Sequence, residues 1–63
     1  PLTPREQEVV KLVAESHSPE EIADLLAISP RTVERHRENI LARLGARNRP
    51  HAVAIALREA LID

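Results

Sequence analysis

Three times this chain sets a hydroxyl residue directly before a proline: Thr3-Pro4, Ser18-Pro19 and Ser29-Pro30. A side-chain oxygen at the N-cap satisfies one of the free N–H groups of a helix's first turn, and proline at the next position presets the helical φ where no donor is needed. Each pair therefore marks a helix start. Thr3 with Glu6 and Ser18 with Glu21 extend the signal to a capping box, in which the carboxylate returns to the cap residue's own N–H. Ser29 has Thr32 at that spacing instead. A fourth start falls at Asn48, with Pro50 still in the tolerant first turn and an apolar periodic run behind it. There is no strand pattern, internal repeat or long linker. The expectation is an all-α fold of four helices, over about 4–15, 19–26, 30–44 and 49–61.

The apolar spacing supplies each helix with a buried face. In the first, Val9, Leu12 and Val13 are the core candidates, with Leu2 packing back over the entrance. In the second they are Ile22, Leu25 and Leu26, with Ala23 small enough for close approach. The third aligns Val33, Ile40 and Leu44, with Leu41 at the margin, and Gly45 suits its left-handed end. The fourth is apolar on more than one side: Val53, Leu57 and Leu61 lie on one line, while Ala52, Ile55, Ala56 and Ile62 spread elsewhere. That surplus calls for a second partner surface.

A chain of 63 residues is one small domain, and a domain this size hides only about 60% of the surface its unfolded form exposes. The chain holds no cysteine and no Phe, Trp or Tyr. Disulfides and thiolate metal sites are thereby excluded, as is base stacking on aromatic rings, and the core must be built of Leu, Ile, Val and Ala. No apolar run approaches the ~18 residues of a membrane span, and no secretory signal is present, so a cytoplasmic module is expected. A start at Pro1 rather than Met is expected of a fragment of a longer protein, with N-terminal processing as the alternative.

The formal net charge of -1 conceals two opposed segments. Acids dominate from Pro1 to Ile28, giving -4, and arginines dominate from Ser29 to Arg49, giving +4. All six bases of the second segment are Arg, whose planar fork can hold phosphate or guanine in bidentate fashion. They sit on and after a helix that follows a short helix across a four-residue break at Ala27–Pro30, the pattern of a helix-turn-helix. In that motif the second helix enters the major groove and its amino-terminal half carries side chains to base edges. The exposed side of the third helix holds donors for guanine in Arg35, acceptors for cytosine amine in Glu34 and Glu38, and an amide for adenine in Asn39. These four are the candidate base-contacting residues. Ser29 and Thr32 at the positive helix end can hold a phosphate, and Arg31, His36, Arg37, Arg43, Arg47 and Arg49 are further candidates for backbone contact. Arg37 lies near the edge of the buried stripe, where a snorkelling role is an equal alternative.

These residues resemble, across essentially the whole chain, the LuxR-type regulators, which include the NarL and FixJ response regulators and the quorum-sensing activators. The resemblance is carried by Leu2-Thr3-Pro4-Arg5-Glu6, Glu21-Ile22-Ala23, Ile28-Ser29, Thr32-Val33, His36, Ile40, Arg43-Leu44-Gly45 and Ala52-Val53. Ser29-Pro30-Arg31-Thr32-Val33-Glu34, His36-Arg37 and Pro50-His51 are most similar to the FixJ branch. The resemblance implies a four-helix output domain that binds double-stranded DNA without a cofactor. Its second and third helices would read DNA, and its fourth would pair two subunits. The dimer candidates are Ala52, Ile55, Ala56 and Ile62. By position it places Glu34, Arg35 and Glu38 at bases, with Thr32, His36, Arg43 and Arg47 near the backbone. The chain departs from the family in three places. A lysine often stands where Glu34 is, and Asn-Lys where Pro19-Glu20 is, which implies weaker affinity for arbitrary DNA. Ser16 replaces the glycine usual after the first helix, at about 1 kcal/mol if the left-handed geometry is kept.

His17, His36 and His51 have neither cysteine companions nor the paired spacing of a zinc helix, and no nucleophile, base and pocket converge, so neither a metal site nor an enzyme is expected. No small-molecule ligand is expected in this domain either. The alternative to DNA reading is a helical protein-interaction module, sigma-factor-like or anti-regulator in kind, with its arginines on acidic protein surfaces. RNA polymerase is a further candidate partner.

Overall fold

The structure, a computed structural model, describes residues 2–62, and these form four helices: α1 (Pro4–Ala14), α2 (Pro19–Leu26), α3 (Pro30–Leu44) and α4 (Arg49–Arg58). All four starts fall where the capping residues place them. Thr3 accepts from the Glu6 N–H at 3.2 Å while its own N–H donates to Glu6 Oε1 at 3.0 Å, closing the capping box. Ser18 and Glu21 close the second, at 3.1 and 2.7 Å. Ser29 and Asn48 cap α3 and α4 by accepting from the Thr32 and His51 N–H groups.

The helix ends share one device. Ser16, Ala27, Gly45 and Ala60 all lie in the left-handed region, with φ of 71°, 57°, 63° and 56°. At each end the next residue's N–H reaches five residues back, to the Leu12, Ala23, Leu41 and Ala56 carbonyls at 2.8 to 3.1 Å, the Schellman arrangement. Its consequence is tertiary: at three ends it turns an apolar residue, Ile28, Ala46 or Leu61, onto the core. This device also corrects the expected length of α4. The helix stops at Arg58, not at residue 61, because burying Leu61 outweighs another half-turn of helix. No glycine announces the stop.

The core is β-branched and small at its centre. Val9, Val10, Ile22, Ala23, Val33, Ile40, Ala52 and Ala56 are buried, and Leu2 closes one end. The other leucines stand at the margin: Leu12, Leu26, Leu41, Leu44 and Leu61 are half-buried, and Leu25 and Leu57 are exposed. Three sequence expectations change. Val10 is buried where Leu12 and Val13 are only half so, and Leu25 is 59% exposed. On α4 the fully inward residues are Ala52, Ile55 and Ala56, while on the line of Val53, Leu57 and Leu61 the first and last are half-buried against the core and Leu57 is exposed. The two alanines let α4 lie close against α1 and α3, both of which it contacts. Ala52, Ile55 and Ala56 are therefore occupied inside their own chain and offer no surface to a second subunit. Ile62 is half-buried against the same core.

Candidate nucleic-acid interface

α2 and α3 pack on each other across the turn Ala27–Ser29. The left-handed Ala27 reverses the chain, and Ile28 is drawn inward by the bond from its N–H to the Ala23 carbonyl at 3.0 Å. Ser29 then opens α3 in the extended conformation, its hydroxyl 3.0 Å from that of Thr32. Val33 and Ile40 anchor one side of α3 in the core. Helical periodicity then sends Arg31, Glu34, Arg35 and Glu38, at relative positions 0, +3, +4 and +7, to the opposite side. All four are exposed, as is Asn39 at the edge of that line.

The candidate backbone contacts divide. Ser29, Arg31, Arg47 and Arg49 are exposed, and Thr32 and His36 are half-buried beside the outward line. Arg43 is half exposed, but its Nε lies 3.1 Å from the carboxylate of Glu6, which is 3% exposed. One side of this guanidinium thus locks α3 to the start of α1 while the rest faces solvent. Sequence reasoning gave Glu6 a capping role only, since nothing local links residues 37 apart. Arg37 belongs to the core edge. Its side chain is 20% exposed and lines a small apolar cavity with Val10, Val13, Ile40, Leu41 and Ala52. Its Nη1 donates to Glu34, and its buried Nε has no partner among the described residues. The snorkelling alternative describes this placement, away from the outward line. The same bond holds the Glu34 carboxylate within its own helix. Arg49 borders this cavity from α4 and faces the cleft holding His17, so it stands on the α1–α4 side.

Two histidines have local structural partners. His51 Nδ1 accepts from the Arg47 N–H at 3.0 Å while the His51 N–H donates to the Asn48 side chain, so the imidazole ties the residue before the cap to the first turn of α4. His17 lies 3.9 Å from Glu15 and 3.8 Å from Glu21. Among the described residues no group of His, Asp and Glu has the geometry of a metal site, and no helix is long and apolar enough to cross a membrane.

The family model for bacterial regulatory proteins of the luxR family, GerE, matches residues 1–56. The chain belongs to the luxR family of bacterial regulatory proteins. It is a LuxR-type helix-turn-helix, the DNA-binding kind of domain found in transcriptional regulators. The transcriptional activator protein BjaR1 of Bradyrhizobium diazoefficiens is 45% identical over 98% of this chain. The oxygen regulatory protein NreC of Staphylococcus aureus is 37% identical over the same share. The chain spans 26% and 29% of the lengths of these two relatives. Among solved structures, the transcription factor GerE superposes with a TM-score of 0.95 at 34% identity, over 98% of this chain and 92% of that one. The response regulator ChrA of a heme-sensing two-component system gives 0.94 at 34% identity, over 98% of this chain and 31% of that one. The four-helix fold expected from the capping pattern and the LuxR-type family implied by the resemblance are thus both found.

Proposed function

We propose that this LuxR-type domain reads double-stranded DNA by sequence, with α3 in the major groove, as the output part of a longer cytoplasmic regulator that works by binding and carries out no covalent chemistry. The observation that supports this reading most is the exposed line of Arg31, Glu34, Arg35 and Glu38 on the second helix of the motif. It combines donors and acceptors, which suits discrimination between bases more than attraction to any phosphate. Arg35 and Glu38 are the main base readers, joined by Asn39 and by Glu34, whose Oε1 is already engaged by Arg37. Ser29, Arg31, Thr32, His36 and Arg47 position the backbone, with the outer side of Arg43.

We further propose that the domain acts as a symmetric pair. With Ala52, Ile55 and Ala56 occupied internally, the apolar residue that α4 leaves for a partner is Leu57, which is 50% exposed. Selection of duplexes from a random pool tests DNA reading and symmetry together. The expected result is an inverted repeat whose half-sites lie about one helical turn apart. Indifference between selected and random duplex would overturn sequence reading, and a lone half-site would overturn the pair.

A further inference from the structure

α2 ends in two leucines, and only Leu26 packs against the core. Leu25 is 59% exposed, yet it does not project from a flat surface. With Leu26, and with Leu12 of α1, it floors a groove of about 410 Å³ whose sides are Glu8, Lys11 and Glu15. No residue of α3 or α4 lines this groove. One exposed leucine needs no explanation, but three leucines in a concave site with a charged rim have the anatomy of a docking surface. The rim's charge selects the occupant. Glu8 and Glu15 stand on the rim to either side of Lys11, so the acids outnumber the base there, Asp24 precedes Leu25, and the whole Pro1–Ile28 segment carries -4. A polyanion is repelled here, so the groove is no extension of the DNA surface. Two copies meeting groove to groove would bring Glu8 and Glu15 of each around the two Lys11 ammonium groups, leaving an excess of carboxylate in the seam. The pairs that Arg5 makes with Glu8 at 3.8 Å and His17 with Glu15 at 3.9 Å are solvent-exposed, and a cation from outside can displace them.

We propose that this groove docks a segment of another protein carrying a leucine-, isoleucine- or methionine-sized side chain next to Lys or Arg. The apolar side chain covers Leu25, and the cation meets Glu8 and Glu15. The site is separate from the outward line of α3, so it stands or falls independently of DNA reading.

Panning the folded chain with a library of short random peptides tests this, followed by titration of the enriched peptides, made synthetically, under NMR observation. The expected sequences place an apolar anchor within one helical turn of Lys or Arg. Their amide shifts map to Leu12, Leu25 and Leu26. Leu25→Ser weakens them about tenfold or more, as loss of a buried leucine contact requires. The double variant Glu8→Lys, Glu15→Lys weakens them separately and removes most of the salt dependence. Both variants alter exposed positions, so both stay folded, as their thermal transitions check; Leu25→Ser keeps the parent's affinity for duplex DNA, whereas the double variant, in which each Glu→Lys adds two units of positive charge, raises that affinity while losing the peptides. Enrichment of acidic peptides, binding indifferent to Leu25→Ser, shifts centred on Leu57, or self-association lost on Leu25→Ser would each overturn the proposal. So would the absence of any enriched peptide.

Discussion

Three residues in this domain hold a conformation that their side chains oppose. Ser16, Ala27 and Ala60 keep positive φ where glycine would sit without strain. Ser16→Gly and Ala27→Gly are therefore expected to stabilise the fold by about 0.5–1 kcal/mol each. For a domain this small, 1 kcal/mol corresponds to roughly 4–8 °C in Tm, which calorimetry resolves. Glu21 offers a test through pH. The bond from the Ser18 backbone N–H is the main cause holding its carboxyl below the ordinary value, against a smaller opposing effect of burial, with His17 and the Ser18 hydroxyl adding to the lowering. A lowered folded value stabilises the protein above the unfolded carboxyl's range, and that contribution disappears as pH falls through the folded value. Urea titrations of Glu21→Gln against the parent should thus show a stability difference near neutrality that closes on acidification. At the interface, Arg35→Ala is expected to cost about 1–3 kcal/mol on the selected duplex and little on random DNA. Arg47→Ala should weaken both alike and reduce the salt slope by about one. Arg47 is a cleaner probe of phosphate contact than Arg43, whose removal also strips the buried Glu6 carboxylate of its partner.

The start of α3 carries more consequence than its length suggests. Ser29 caps the Thr32 N–H and meets the Thr32 hydroxyl, and this sets the first turn that presents Arg31, Glu34 and Arg35. Ser29→Ala should cost about 1 kcal/mol of stability. It should also speed hydrogen exchange in that turn while α1 keeps its protection, an outcome distinct from general destabilisation. All four helix starts were legible because a cap is a local contract between residues three apart. The stops were less so. Gly45 marks the end of α3 openly, but Ala27 and Ala60 are good helix formers driven into the left-handed region so that Ile28 and Leu61 can reach the core. Only the energy of packing distant residues decides such an ending.

At the scale of the molecule, charge is divided by element, with the acidic α1–α2 segment opposed to the arginines of α3 and of the segment after it. This uneven distribution lets a domain of net charge -1 carry a local excess of arginine on the second helix of a DNA-binding motif. Leu57→Lys is expected to leave the monomer's melting unchanged and to lower the cooperativity of binding to an inverted repeat, read by sedimentation and gel shift over a concentration series. The sequence by itself determined the helix starts, the all-α class, the turn between α2 and α3 and the side of α3 that carries polar groups, because each rests on spacings within a few residues. Tertiary structure alone decided which side of α4 turns inward, that Leu25 stays in solvent, that Arg37 bonds to Glu34 with its Nε buried and that Arg43 is tied to Glu6. Those outcomes depend on which surfaces meet when four short helices compete for one small interior, and no local spacing encodes that competition.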